Sequence, residues 1–366
     1  MKASPSATPS LKPAPAPTWG MKKLSMYADE VYPASAGFEP ALALLQRLGI
    51  EHIDLRRVNG VDSLINASAA DLDAARRLLK KYGIKVAGLG TPLFKCPLRG
   101  VQGPVWGGHH GIGARIGYER YMDLLPRTFT LADQFGTNNI RVFAFWRQHN
   151  LDEVFDEVVD KLGRAAEVAR KAGHKLFLEN EHNCIVGTGV EQGRLLKAIN
   201  SPSLVGIYDE GNSARIGGVI ADDYAAMRGW IGHVHMKHRR LDVTCGWMSP
   251  HQQLLDQKSG GYRPYFLWRQ PKAPFTGQIR YGNKTFELHG QRTTENVTHS
   301  VVDHFRPLLQ NLKDDGYDGV IAVDNAWDGL RSRMPVAELD PVVNEGMRAF
   351  GQLIEEVWDA PPAARN

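Results

Sequence analysis

Acidic, imidazole and amine side chains follow four apolar runs in the second half of the chain. They are Glu179, Glu181 and His182 after KLFL, Asp209, Glu210 and Asn212 after LVGIY, His233, His235 and Lys237 within IGHVHMK, and Asp324 after GVIAV. Carboxylate oxygens and imidazole nitrogens together suit Mn²⁺, Mg²⁺, Co²⁺ or Zn²⁺. The residue types therefore predict one bound divalent ion, with Mn²⁺ as the first expectation and the other three as alternatives.

The apolar runs that carry these groups alternate with amphipathic stretches along most of the chain. The predicted strands are 24–29, 52–56, 85–90, 139–145, 175–180, 204–209, 231–237 and 319–324. The predicted helices are 38–49, 69–83, 118–136, 152–173, 190–200, 221–230, 301–316 and 338–357. Nearly continuous apolar strands separated by helices indicate a buried parallel sheet. Eight repeats favour a (β/α)8 TIM barrel over an open doubly wound sheet, and catalytic groups of such barrels lie at the C-terminal strand ends.

The chain divides into an N-terminal extension, a barrel and one long insertion. Residues 1–21 are rich in Ala, Pro and Ser and lack the apolar stretch of a signal peptide, so we expect a disordered extension. Residues 22–366 are predicted to form one TIM-barrel catalytic domain. Residues 239–298, between strand seven and the last helix pair, are too long for an ordinary connection and predict an insertion at the barrel mouth.

Composition excludes several classes of protein. The 366 residues carry a net charge of only +4, which argues against a nucleic-acid partner. No apolar run approaches the length of about 18 residues expected of a membrane span, so no membrane partner is expected. The three cysteines lack CxxC spacing, which favours a reduced, cytoplasmic setting. No GxGxxG turn follows the first strand, which counts against a dinucleotide-binding fold.

Four of the strand ends resemble a known group of enzymes. LFLEN, GIYDEGN, HVHMK and GVIAVDN are similar to the metal-binding strands of the xylose isomerase-like TIM barrel superfamily, which includes ketose 3-epimerases, inosose dehydratases, hydroxypyruvate isomerases and endonuclease IV. The resemblance covers most of residues 22–357 and is strongest over 139–237. It implies a metal-dependent enzyme acting on carbohydrate.

The resemblance also implies a specific ligand set, which is Glu179, Asp209, His235 and Asp324. Two positions depart from the pattern of ketose epimerases. Those enzymes usually have a proton-moving Glu where this chain has Asp324, and a His where it has Asn212. Both departures argue against simple epimerisation by two carboxylates. Endonuclease IV is a poor match because strands two to four supply too few His and acidic ends for three metal ions.

A metal ion chelated by sugar oxygens favours enolisation, because it neutralises charge on the developing enediolate. A general base must then remove the proton. His182 is the first candidate base and His149, in FWRQHN, is the second; a structural role remains open for each. Lys237 either holds a substrate oxyanion or pairs with a neighbouring carboxylate.

The fate of the enediolate determines the reaction. The two departures, and the aromatic residues of the insertion such as Trp247, favour expulsion of a β-substituent by a lyase. The α subunits of bacterial C-glycoside deglycosidases, which act with a small β subunit on 3-keto-C-glycosides and release the aglycone, resemble this chain in these features. The alternatives are a ketose 3-epimerase or sugar isomerase and a non-catalytic sugar-binding subunit. We expect either a homo-oligomer or a hetero-oligomer with a small second subunit.

Further side chains are candidate substrate contacts beside the ligand set. They are Glu181, Asn212, His109, His110, Arg56 and Trp247. GGHHGIG, which contains His109 and His110, lacks the Lys and Ser/Thr of a phosphate-binding loop and is interpreted as a wall of the site. For Arg56, a role in bracing the barrel remains the main alternative.

Overall fold

The computed structural model describes residues 19–32, 36–58, 60, 61, 63–100, 116–237, 305–324 and 336–360, with six strand segments between 247 and 289. Eight strands form one sheet in the order β1-β8-β7-β6-β5-β4-β3-β2, and every pair in it is parallel. They are β1 Leu24–Met26, β2 His52–Leu55, β3 Lys85–Leu93, β4 Asn139–Val142, β5 Lys175–Glu179, β6 Leu204–Asp209, β7 Ile231–Met236 and β8 Ile321–Val323. The predicted (β/α)8 barrel is confirmed.

The seam between the first two strands closes the barrel. β1 and β2 share an isolated parallel bridge between Tyr27 and Asp54, whereas every other neighbouring pair forms a ladder. Both residues are buried, at 1% and 3% exposure. The seam is therefore joined at the level where the strands approach the C-terminal mouth.

Helices cover the outside of the barrel. They are α1 Trp19–Lys22, α2 Glu39–Leu48, α3 Ala69–Tyr82, α4 Tyr118–Phe135, α5 Leu151–Lys171, α6 Gly189–Ile199, α7 Glu210–Arg215, α8 Ile220–Met227, α9 Arg306–Asp314 and α10 Val336–Asp359. Two 3-10 turns, Ala28–Glu30 and Leu64–Asn66, follow β1 and β2. α1 packs against α10, and its Met21 is buried. The extension predicted over 1–21 thus overlaps this helix at residues 19–21.

Local signals in the sequence fix several helix ends. The Ser68 side chain accepts a hydrogen bond from the Asp71 amide, while the Asp71 carboxylate accepts from the Ser68 amide. This reciprocal cap satisfies two amides that have no partner inside α3. The same helix ends at Gly83, whose φ of 66° is left-handed. Local residues therefore define both ends of α3.

The predicted insertion contains three short antiparallel pairs. Trp247–Met248 pairs with Trp268–Arg269, Gln252–Leu255 with Tyr262–Tyr265, and Thr276–Tyr281 with Lys284–His289. The rest of 239–298, and the side chains of the whole insertion, lie outside the described residues. Within the described part of the chain, no helix is both long and apolar enough to cross a membrane.

Candidate metal centre

Four polar side chains converge where consecutive strands reach the barrel mouth. Glu179 ends β5, Asp209 ends β6, His235 lies near the end of β7 and Asp324 directly follows β8. One ligand atom from each lies within 4.8 Å of the others. All four residues are at most 3% exposed. Because parallel strands deliver their C-terminal ends to one mouth, the chain folds these distant positions into a single cluster.

Two buried cations contact the carboxylates. Arg141 projects inward from β4, and its Nη1 lies 3.0 Å from Glu179 Oε2. Lys237 Nζ lies 2.9 Å from Asp209 Oδ2 and also donates a hydrogen bond to Asp324 Oδ2. The ion pair that sequence reasoning left as one option for Lys237 is therefore present. Both pairs are almost free of solvent, so charge screening by water is weak.

The carboxylates respond differently to this environment. Burial would raise the pKa of Glu179, but Arg141 and His235 lower it to about 2. Burial also opposes ionisation of Asp324, yet Lys237 and His235 hold its pKa below the ordinary value. Burial, reinforced by the charges of Glu179 and Asp324, raises the pKa of Asp209 well above its ordinary value despite Lys237. Three carboxylates at this spacing do not ionise together without more positive charge.

The charge balance indicates which ligand suits the cluster. Among the described residues, the cations in direct contact with the carboxylates of Glu179, Asp209 and Asp324 are Arg141 and Lys237. The raised pKa of Asp209 indicates that these two cations do not suffice to ionise all three carboxylates, and a bound divalent ion would supply the missing positive charge. The donors are three carboxylate oxygens and one imidazole nitrogen, a set that suits Mn²⁺, Mg²⁺, Co²⁺ or Zn²⁺. The residues present therefore fit the expected metal ion.

Asn212 connects the cluster to the candidate base His182. The Asn212 side-chain amide donates to Glu179 Oε1 at 3.3 Å and to the Asn180 carbonyl at 3.0 Å. Its oxygen lies 3.0 Å from His182 Nδ1. One amide side chain therefore separates the imidazole from a predicted ligand.

The orientation of His182 is fixed by a carboxylate. Glu181 Oε1 lies 2.7 Å from His182 Nδ1, and Lys95 Nζ lies 2.8 Å from Glu181 Oε2. Burial would raise the pKa of Glu181, but Lys95 and His182 lower it well below its ordinary value. With Nδ1 facing acceptors, Nε2 becomes the basic nitrogen, and Asn183 Nδ2 lies 3.0 Å from it. This arrangement is typical of an imidazole positioned for proton transfer.

The remaining predicted residues lie in different places. His149 follows β4, is half-buried, and is not part of the cluster formed by Glu179, Asp209, His235 and Asp324. Arg56 pairs with Asp29 at 2.7 Å and with Glu30 at 2.9 Å, contacts that suit the bracing role. His109 and His110 lie outside the described residues, as does the side chain of Trp247.

Sequence reasoning did not single out four residues that shape the centre. Arg141 was part of a predicted strand, and its only signal was a charge inside the apolar run NIRVFAF. Lys95 reaches Glu181 from beyond β3, so no local pattern links the two residues. Tyr27 accepts a hydrogen bond from Arg141 at 3.0 Å, and its ring lies edge-on to His235. Asp54, whose carboxylate lies within 4.8 Å of a ring nitrogen of His235, has no signal in the sequence beyond its place in a predicted strand.

The family model for xylose isomerase-like TIM barrels matches residues 42–350. The chain has no match among curated proteins.

Solved structures share the fold at low sequence identity. The IOLI protein with a zinc atom is 13% identical at a TM-score of 0.59, covering 92% of this chain and 99% of its own. The probable 3-DHS dehydratase AsbF from Bacillus anthracis is 16% identical at 0.54, covering 89% and 97%. The 3-keto-D-glucoside 4-epimerase YcjR from E. coli is 13% identical at 0.52, covering 89% and 98%. At these identities the likeness concerns the fold.

Proposed function

The chain belongs to the xylose isomerase-like TIM barrel family, and from that premise we propose that it is a divalent-metal-dependent enzyme that enolises a sugar or keto-sugar. The main support is the convergence of Glu179, Asp209, His235 and Asp324, whose ligand atoms lie within 4.8 Å of one another. These four side chains would hold one ion, with Mn²⁺ as the first expectation. When bound, that ion supplies a Lewis acid that neutralises charge on the two oxygens of an enediolate.

The protein's own groups would move the proton. His182 Nε2 takes it from the carbon beside the substrate carbonyl, because Nδ1 is held by Glu181 and Asn212. Lys237 keeps positive charge beside the developing oxyanion. Lys95 keeps Glu181 ionised, and that charge stabilises the imidazolium that forms on His182.

We favour a lyase outcome on a 3-keto-C-glycoside. Loss of the proton between the keto carbon and the carbon that carries the aglycone places an electron pair beside the bond to be broken. That pair forms the ring double bond, and the aglycone leaves with the bonding electrons and takes up a proton. Asp324 and Asn212 support this preference, because they replace the second proton-moving Glu and the His of ketose epimerases.

Two other outcomes remain candidates. Return of the proton would give a ketose 3-epimerase or sugar isomerase, and a sugar epimerase of the same fold, YcjR, lends this some support. A non-catalytic sugar-binding subunit would bind the sugar and leave it unchanged. In each case we expect a cytoplasmic protein that is either a homo-oligomer or paired with a small second subunit.

The deciding experiment incubates purified protein with Mn²⁺ and a 3-keto-C-glycoside and follows aglycone release by chromatography. Release that chelator abolishes and Mn²⁺ restores is the expected result. Interconversion of ketoses without release would favour the epimerase. Binding without any conversion would favour the non-catalytic subunit.

Matched variants identify the groups involved. Glu179→Gln should abolish turnover and metal binding. His182→Asn should lower kcat by about 10²–10⁴-fold, the usual contribution of a general base. His149→Asn is its control, with kcat near that of the wild type. The reverse ranking would assign the base to His149.

A further inference from the structure

Three polar side chains lie inside the barrel beneath His235. Ser25 comes from β1, Asp54 from β2 and His233 from β7, and each is at most 3% exposed. The Ser25 hydroxyl donates to Asp54 Oδ2, and His233 Nε2 lies 3.2 Å from Asp54 Oδ1. The interior of a TIM barrel is ordinarily filled by apolar side chains, so an ionisable pair here calls for a physical explanation.

The two ring nitrogens of His235 face different surroundings. Nδ1 lies 3.3 Å from Glu179, 3.9 Å from Asp209 and 3.9 Å from Asp324. Nε2 is buried and has no hydrogen-bond partner among the described residues. Ligand atoms of Asp54, His233 and His235 lie within 4.8 Å of one another. The His235 imidazole therefore faces the cluster of predicted ligands with Nδ1, and one of its ring nitrogens lies within 4.8 Å of an Asp54 carboxylate oxygen.

The tautomer of His235 decides whether it can bind a cation. A neutral imidazole carries its proton on one nitrogen, and only the other nitrogen has a lone pair for a metal ion. If Nδ1 binds, the proton must reside on Nε2, in the buried interior of the barrel. A carboxylate there favours that tautomer through its charge, since the attraction between a charge and a ring N–H is strong at low dielectric even without a hydrogen bond.

We propose that Asp54, held by Ser25 and His233, is a positioning residue that keeps the ring proton of His235 on Nε2 and thereby presents Nδ1 to the metal ion. The inference rests on the proposed function and adds a residue to it. The Asp54 carboxylate accepts a hydrogen bond from Ser25 and faces His233 Nε2 at 3.2 Å, and both contacts favour its ionised form. The bridge that closes the barrel joins the main chains of Tyr27 and Asp54, so the side chain of Asp54 can be tested separately.

Asp54→Asn tests the proposal by two measurements. Titration calorimetry with Zn²⁺ should show a Kd about 10–100-fold weaker than that of the wild type, the usual loss when the partner of a metal-binding imidazole is changed. Nitrogen-15 NMR of histidine-labelled, metal-free protein should show the Nε2–H tautomer at His235 in the wild type and a mixture in the variant. The His235 signals are assigned by their loss in His235→Gln.

Asp133→Asn is the matched control. Asp133 also faces an imidazole, with 3.6 Å between its Oδ1 and His174 Nε2, but its side chain is 72% exposed and it belongs to neither ligand group. Zn²⁺ affinity and the His235 spectrum should not change. Ser25→Ala leaves the carboxylate in place and should weaken Zn²⁺ by a smaller factor, about 3-fold. If Asp54→Asn does not fold, Ser25→Ala tests the proposal by the same two measurements.

An unchanged Zn²⁺ Kd in Asp54→Asn, or an unchanged tautomer, would overturn the proposal. Two ions per chain, one of which is lost in Asp54→Asn, would overturn it in favour of direct cation binding by Asp54. Failure of the wild type to bind any divalent ion would defeat the proposed function. The tautomer of the metal-free protein would still decide whether Asp54 positions His235.

Discussion

The two ends of the barrel carry charge in opposite ways. At the C-terminal end, Glu179, Asp209 and Lys237 are buried and in contact with ionised partners. At the N-terminal end, a cavity of about 620 Å³ has a mainly apolar and neutral lining, which includes the exposed Lys80 and Lys85 but no acidic residue. Desolvation makes unpaired charge expensive at the first end, whereas water satisfies it at the second. Substitutions should therefore have much larger effects at the C-terminal end.

The largest effect on stability is expected from Arg141→Met. This change leaves Glu179 charged and buried without its closest cation, which should lower the free energy of unfolding by about 3–5 kcal/mol. Urea unfolding of the metal-free protein measures the loss. The double variant Arg141→Met with Glu179→Met should recover most of the stability and none of the activity. Equal stability of both variants would show that the pair does not behave as a buried ion pair.

Metal removal should have the next largest effect. An ion that binds only the folded state stabilises it by about 2.7 kcal/mol at a free concentration 100 times Kd. Thermal unfolding with and without chelator should therefore differ by several degrees in the wild type. The difference should disappear in Asp209→Asn, which loses a predicted ligand. A chelator effect that persists in this variant would place the ion elsewhere.

A backbone change near the N-terminal end of the barrel should lower the free energy of unfolding by a smaller amount. Gly83 has a φ of 66°, and a Cβ added there would meet nothing within 4 Å. Gly83→Ala should therefore destabilise by about 1–2 kcal/mol through backbone strain alone. Gly163→Ala is the matched control inside α5, where the Cβ would meet only Ile199 at 3.9 Å, and it should stabilise by about 0.5–1 kcal/mol. The same sign for both changes in urea unfolding would contradict this account.

The smallest effect is expected at the rim of the N-terminal cavity. Lys85→Gln removes an exposed charge, so the free energy of unfolding should change by no more than about 0.5 kcal/mol. Turnover should equal that of the wild type. A large loss of activity would contradict the contrast between the two ends.

Much of the fold was predictable because its signals are local. Periodicity and capping residues placed α3 at 69–83, against Ala69–Tyr82 in the structure. The ends of the strands were predicted less accurately. The strand predicted over 139–145 is observed only over Asn139–Val142. Phe145 adopts a left-handed φ of 58°, which the pattern of apolar residues does not predict. Of the predicted helix 301–316, residues 301–304 lie outside the described residues, and α9 spans Arg306–Asp314 with Pro307 in its first turn.

The candidate centre was predictable only where its residues end strands. Glu179, Asp209, His235 and Asp324 come together because parallel strands share one mouth. Lys95 and Arg141 could not be linked to the centre, since their long side chains reach it from the segment after β3 and from β4. These long-range contacts depend on how the barrel closes, which periodicity does not encode.

Closure at a single main-chain bridge has a consequence for dynamics. Tyr27 and Asp54 join the edges of the sheet, and the same two residues contact or approach His235. Any transient separation of these two strands would therefore also disturb His235, the proposed imidazole ligand. Binding of an ion at the centre should therefore slow amide hydrogen exchange along β1 and β2 more than along β4. The bound ion would stabilise the junction of β1 and β2, which is closed by a single main-chain bridge.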